Sequence, residues 1–261
     1  MQLPHIDNGK KFDWGKTSRL YAKYRDIYPP VFLNRLSAAA GIVRGVNVLD
    51  LGTGTGVIPR LLYGTGANFT GIDISENQIA EARRLAEEDG MHINFLCSPA
   101  EQCIFPAAAF DSVTACQCFT YFNHQKLADK LCTVLKDGGI FCAAYMGWLP
   151  YEDDIAARSE QLILKFNPSW NGCGDTPKPL AIPDCYFKYF EIEQREVFRF
   201  TVPFSREGWH GRILSCRGVS AALSEDRLED FSREHVKMLH KIAPEQFNVK
   251  HYAAITTLKK L

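Results

Sequence analysis

Apolar residues recur along this chain with two different spacings. Between residues 46 and 146, short apolar runs at 46–50, 68–73, 92–97, 109–116 and 140–146 read as strands. The segments between them place apolar side chains three and four apart, which is helical periodicity. Helices are predicted at 57–62, from Ser75 to Gly90, and at 123–136, where Asn123 supplies an N-cap. Ser75 with Gln78 three residues later predicts a capping box. Strictly alternating strand and helix implies a parallel, doubly wound sheet with right-handed crossovers.

Outside that stretch the pattern changes. Residues 1–15 read as a loose arm; helices follow at 17–27 and 31–40, separated by Pro29-Pro30 and closed by Gly41. After residue 147 a helix at 152–166 precedes a stretch rich in proline, glycine and polar residues, 167–184, the mark of an irregular insertion. A strand at 191–200, helices at 206–215 and 224–242, and a strand at 249–258 complete the chain. The expected organisation is a single domain over 1–261: an N-terminal helical lid at 1–44, a core at 45–146, a cap insertion at 147–190 after strand 5, and further strands and helices at 191–261. There is no internal repeat and no low-complexity tract.

The chain has 261 residues, 46% hydrophobic and 23% charged, and its 30 basic residues balance 30 acidic ones. That is the composition of an ordinary globule, without the global field that gathers nucleic acid or an anionic membrane surface. No apolar stretch approaches the roughly 20 residues of a membrane span, and no leader pattern opens the sequence, so a cytoplasmic protein is expected. The nine cysteines are scattered, and most read as buried thiols. Cys116 and Cys118 sit at alternate positions on one strand face but lack further ligands nearby; no metal site is expected.

Candidate chemistry concentrates in Val46-Asn-Val-Leu-Asp-Leu-Gly-Thr-Gly-Thr-Gly56, a strand ending in an acid followed by three glycines at alternate positions. A dinucleotide fingerprint needs its third glycine three positions after the second, which here is Val57. No Lys-Ser/Thr ending of a P-loop is present, and Asp50 repels a phosphate while attracting a cation. The turn therefore suits a ligand with an ammonium group and no phosphate. Asp73, about 20 residues on at the end of the second strand, is placed to accept both hydroxyls of a ribose. If the capping box forms, its carboxylate is left free to do so.

These residues resemble motif I and the following motifs of the class I S-adenosylmethionine-dependent methyltransferases. The match runs in order through Asp50 to Gly56, Asp73 with Ile-Ser-Glu-Asn-Gln, the Ala100-Glu101 turn with Phe-Asp-Ser-Val, Gln117 with its aromatic tail, and Leu-Lys-Asp-Gly-Gly139. The resemblance covers residues 20–146. It implies a Rossmann-like, doubly wound, seven-stranded α/β sheet with an antiparallel last strand, and S-adenosyl-L-methionine as cofactor with S-adenosyl-L-homocysteine as product. Asp50, Gly52, Thr53 and Gly54 would hold the methionine portion. Asp73 would take the ribose, Ile74 would flank the adenine, Ala100 and Glu101 would lie along its edge, Gln117 would sit near the sulfonium, and Gln78 would belong to the same cofactor-binding set. Pro99 stands where the family often has an adenine-binding aspartate, so Ser98 or Glu101 would replace that contact.

The N-terminal segment and Trp209 with Arg212 look like the small-molecule branch, which includes the trans-aconitate type. A small organic acceptor is therefore expected, within aromatic walls from Tyr21, Tyr121, Phe122, Tyr145 and Trp148, with Trp209 beside Arg212. Arg25 and Arg212 are candidates to fork onto a substrate carboxylate. His124, after the fourth strand, is the first candidate general base and His210 the second. The alternatives are a non-catalytic cofactor-binding module and a nucleic-acid methyltransferase; zero net charge and the absence of a Lys/Arg stripe argue against the second. Which atom of the acceptor is methylated, and the oligomeric state, stay open.

Overall fold

The computed structural model describes residues 3–10, 18–25 and 27–261, and shows a seven-stranded sheet in the order β3-β2-β1-β4-β5-β7-β6. The strands are β1 (Asn47–Leu51), β2 (Asn68–Asp73), β3 (Asn94–Cys97), β4 (Phe110–Cys116), β5 (Leu135–Trp148), β6 (Phe190–Ser205) and β7 (Gln246–Lys260). The helices are α1 (Ser18–Tyr24), α2 (Pro30–Ala39), α3 (Val57–Leu61), α4 (Glu76–Glu88), α5 (His124–Val134), α6 (Asp154–Phe166), α7 (Arg206–Leu214) and α8 (Glu225–Ile242). Strands β1 to β5 pair in parallel. Strand β7 runs against β6, since Arg206 N–H donates to Glu245 O and Leu261 N–H to Tyr189 O, so partner numbers fall as the chain rises. It runs against β5 as well, since Leu149 N–H donates to Lys250 O and Lys260 Nζ to Leu135 O. The expected fold class, with its antiparallel last strand, is the one observed.

The chain forms two compact units. One comprises residues 28–146, 178–197 and 253–261; the other comprises 1–27, 147–177 and 198–252. The expected lid thus divides at residue 27 and the expected cap at residue 177. The boundary at 146 is where strand–helix alternation stops in the sequence.

In the unit that contains β1, a sheet buried on both faces explains the near-continuous apolar runs. Leu49, Leu51, Ile72, Val113, Phe141 and Leu258 join Leu127 and Leu131 of α5 in one core. Strand order departs from β1 in both directions, to β2 on one side and β4 on the other, which makes the carboxyl ends of β1 and β4 the topological switch point. In the other unit α1 packs on α7, while α6 and α7 both pack on α8. Their shared core is built on Trp209, Phe231, Ile163 and Phe204.

Three expectations need correction. Strand β5 begins at Leu135, not Ile140: its register on β4 jumps from Phe110↔Leu135 to Ser112↔Ile140. Residues 136–139 bulge out between those pairs, anchored by Lys136 Nζ donating to Asp111 Oδ1 at 2.6 Å. The N-terminal arm is not loose at Asp7, which is buried and takes two hydrogen bonds from the Arg217 guanidinium, at 2.7 and 3.0 Å. Asn171 N–H donates to the same carboxylate at 2.9 Å. Finally, Ser75 is the N-cap of α4 but its hydroxyl accepts no capping bond.

Candidate active site

Asp73 is engaged with the backbone at the entrance to α4. Its Oδ1 accepts from Ser75 N–H at 2.8 Å, and its Oδ2 accepts from Gly54 N–H at 3.0 Å. The carboxylate therefore fixes the turn into α4 and ties it to the glycine turn after β1. The expectation that Asp73 stands free fails for a simple reason: a short acid just before an incipient helix reaches the backbone N–H two residues on. An ionised carboxylate has about four acceptor positions, so these two bonds leave room for a diol.

Asp50 lies on β1 opposite Gly71 of β2 and Thr114 of β4. It is 2% exposed, and its Oδ1 accepts from the Thr114 hydroxyl at 2.6 Å. Burial pushes its carboxyl up to about 6, the Thr114 and Thr53 hydroxyls pull against that shift, and the charge of Asp73 adds to it. Burial also raises Asp73, against the pull of the Ser75, Gly54 and Ile74 amides. Two acids thus share one poorly solvated end of the sheet, a field that favours a cation. Thr114 carries no motif in the sequence; only strand register brings it to Asp50.

The glycines of the turn serve the protein's own packing as well as any ligand. Gly52, at φ +58°, faces Cys118, and a β-carbon there would sit 2.8 Å from Cys118 Cβ and 2.9 Å from its Sγ. Gly56, at φ +73°, lies against the Phe95 ring, 2.6 Å from such a β-carbon. Both positions require glycine for conformation and for space. Thr53 N–H donates to Ile72 O at 2.9 Å, which stitches the turn to β2.

The chain leaves β4 through Gln117, a non-glycine residue at φ +68°. Its N–H donates to Ala144 O at 2.9 Å and its Nε2 to Met146 O at 2.6 Å. That turn carries Cys118 onto Gly52, where the thiol donates to Leu51 O at 3.0 Å. The thiols of Cys116 and Cys118 do not share a direction, because Cys116 pairs with the Tyr28 hydroxyl at 3.6 Å.

Of the other expected cofactor residues, Ile74 is 58% exposed directly beyond Asp73, while Gln78 and Ala100 are buried. Glu101 Oε1 accepts from Asn123 N–H at 2.7 Å, so this side chain secures the loop into α5. Phe122 reaches to 3.8 Å from the β-carbon position of Gly52. Tyr121 and Tyr145 are half-buried. His124 opens α5 and its Nδ1 lies 3.0 Å from the hydroxyl of fully buried Tyr186, with its ring tilted on Phe119. The structural reading of His124, an imidazole joining α5 to the core, accounts for those contacts.

The remaining candidates belong to the other unit. The Arg212 guanidinium is buried 4.8 Å above the Trp148 ring. Trp148 Nε1 donates to buried Glu160 at 2.6 Å. Arg25 is half-buried, and the side chain of Tyr21 lies outside the described residues.

Trp209, fully buried, leads into a hydrogen-bonded chain that the sequence did not announce. Its Nε1 donates to Ser159 Oγ at 2.9 Å, and Ser159 donates to Ile155 O at 2.8 Å. His235 Nε2 meets the same hydroxyl at 3.1 Å, His235 Nδ1 meets His210 Nδ1 at 2.8 Å, and His210 Nε2 meets Ser232 Oγ at 2.9 Å. Since the Ser159 proton goes to Ile155, His235 must carry its proton on Nε2, His210 on Nδ1, and Ser232 must donate. His210, a candidate base, is thereby committed at both nitrogens.

Comparison with known proteins agrees with this geometry. Residues 48–139 match the family model described as "Methyltransferase domain". Over 101 residues, 37% of this chain and 42% of the relative, the sequence is 33% identical to a ubiquinone biosynthesis O-methyltransferase of Coxiella burnetii. Over 95 residues, 35% of this chain and 43% of the relative, it is 39% identical to a demethylmenaquinone methyltransferase of Thermus thermophilus. The chain thus spans less than half the length of these curated relatives. In three dimensions it is similar to the 4+2 cyclase SpnF, with a TM-score of 0.56 and 18% identity over 95% of this chain and 93% of that one. This likeness shows the fold alone, a scaffold on which activity is decided by the site. Residues 48–139 are thus the part of the chain that is similar to a methyltransferase domain.

Proposed function

We propose that this protein binds S-adenosylmethionine at the carboxyl ends of β1, β2 and β4 and transfers its methyl group to a small organic acceptor. The observation that carries the reading is the Asp73 bridge: one carboxylate closes the turn after β2 and, through Gly54 N–H, holds the glycine turn after β1. That arrangement sets an acceptor-rich group beside an exposed apolar side chain, Ile74, as a ribose next to a planar base requires. Asp50, buried and raised, supplies the negative field for an ammonium group. The residues present therefore fit an adenosyl cation without phosphates.

When bound, the cofactor supplies an activated methyl group for in-line displacement. The chain's part is alignment and exclusion of water, and near-attack positioning alone contributes up to roughly 7 to 11 kcal/mol in favourable cases. Asp73, Ile74 and the Gly52–Gly54 turn orient the nucleoside and amino-acid ends. Gln117, bonded through its side chain to Met146 O, keeps the exit of β4 in place. Phe122 contributes an aromatic wall near Gly52. With His124 Nδ1 tied to Tyr186 and both His210 nitrogens to His235 and Ser232, neither imidazole is assigned the role of base.

The curated relatives act in quinone biosynthesis by their names, and phenols therefore lead the acceptor classes to be screened with labelled S-adenosylmethionine, beside carboxylic acids, amines and thiols. Titration calorimetry with S-adenosylhomocysteine tests the cofactor directly: binding by the unsubstituted protein and a loss of at least 100-fold in Asp73→Ala are expected. Undiminished binding by that variant would sink the assignment.

A further inference from the structure

Cys118 is a half-buried thiol that no step of the proposed reaction uses, yet three contacts converge on it. The space a β-carbon on Gly52 would need is occupied by its Cβ and Sγ, at 2.8 and 2.9 Å. Its Sγ donates to Leu51 O, the carbonyl immediately before Gly52, at 3.0 Å. Its own carbonyl accepts from Tyr121 N–H at 3.0 Å, which starts the helical turn carrying Tyr121 and Phe122. The backbone that delivers it is unusual: Gln117 adopts φ +68°, a region that is strained for a residue with a β-carbon and persists where the surroundings over-determine it. The surroundings here are the two hydrogen bonds from Gln117 to Ala144 O and Met146 O.

We infer that Cys118 is a positioning residue for the cofactor turn: inserted from the end of β4, it clamps Leu51-Gly52 and so sets cofactor affinity without touching the reacting atoms. The inference rests on the cofactor assignment above. A turn held in its binding conformation loses less freedom when the ligand arrives, so loosening or displacing it lowers affinity more than it lowers stability. Burial and the nearby charges of Asp50, Cys116 and Asp73 all raise the Cys118 thiol, which keeps it a neutral donor to Leu51 O rather than a thiolate facing two acids.

Three substitutions test this by S-adenosylhomocysteine calorimetry with parallel thermal unfolding. Cys118→Leu pushes on Gly52 and removes the donor; a rise in Kd of at least tenfold is expected. Cys118→Ser preserves size and donor, and Kd within threefold of wild type is expected. Gly52→Ala loses affinity through strain and collision together. Adding Cys118→Gly removes the collision and should recover at least tenfold of that loss. A leucine variant that binds like wild type, or a Gly52→Ala/Cys118→Gly pair whose effects on Kd simply multiply, overturns the role of Cys118. If the unsubstituted protein binds no S-adenosylhomocysteine, the cofactor assignment itself falls and the inference with it. In that event the same pair read by thermal unfolding shows whether the steric interlock exists at all.

Discussion

Two buried polar clusters in this molecule obey the same physics and end in opposite conditions. At the ends of β1 and β2, Asp50 and Asp73 are carboxyls whose desolvation raises them, Asp50 to about 6. In the other unit, His235 and His251 are imidazoles whose desolvation lowers them, to about 3 and about 4. Burial disfavours charge in both places. Yet at neutral pH the imidazoles are neutral groups, with every proton of the His235–His210 chain assigned, whereas Asp50 is ionised against the preference of its surroundings. The imidazole cluster is packing written in polar atoms; the acid cluster is held under electrostatic tension that a cation would relieve.

The contrast is broken most severely at His235. Removing its ring in His235→Ala leaves Ser159 and His210 without their partner and opens a space beside Phe231, on which the ring stacks at 5.5 Å. A loss of about 3 to 5 kcal/mol in urea unfolding is expected, from cavity and unsatisfied groups together. At Asp50 the sign reverses: Asp50→Asn keeps an acceptor for Thr114 and removes the buried charge, so stability at pH 7 should rise by about 1 to 3 kcal/mol while S-adenosylhomocysteine affinity falls tenfold or more. A drop in stability there would mean that Asp50 is not under tension.

Acid titration sharpens the same comparison. For His235 and His251 the unfolded chain binds the extra proton first, so each contributes stability that is complete above about 6.5 and declines as pH falls toward the lowered folded values. For Asp50 the folded state takes the proton first, so stability falls as pH rises from about 4 to about 6. Each group contributes a slope of about 1.4 kcal/mol per pH unit within its window. Unfolding midpoints between pH 4 and 6 should therefore respond more steeply to acid in Asp50→Asn and less steeply in His235→Gln. The smallest effect is expected at Ser232→Ala, where loss of one partly accessible donor to His210 costs about 0.5 to 1.5 kcal/mol in the same urea assay.

What could be read in advance divides along the same line. Strand β2 was placed to the residue and α7 to within one, because a buried parallel strand and a capped helix are local patterns. The acids and glycines of the first cluster were legible because they lie within one turn and one crossover of each other. Thr114 and Cys118 were not: 64 and 67 positions separate them from the groups they touch, Asp50 and Leu51, and only the pairing of β1 with β4 joins them. The imidazole chain was invisible for the same reason, with Ser159 and His235 76 positions apart. The capping box misled because it scores Ser75 with Gln78 and ignores the aspartate two residues before the serine, which takes the Ser75 amide that Gln78 would bond.

The pair formed by Asp7 and Arg217 spans 210 positions, and each unit is assembled from early, middle and late pieces of chain. During synthesis, then, neither unit is complete until β7 has emerged from the ribosome: one includes residues up to 252 and the other residues 253–261. A nascent chain stalled before β7 should therefore be more sensitive to protease than one in which that strand has emerged.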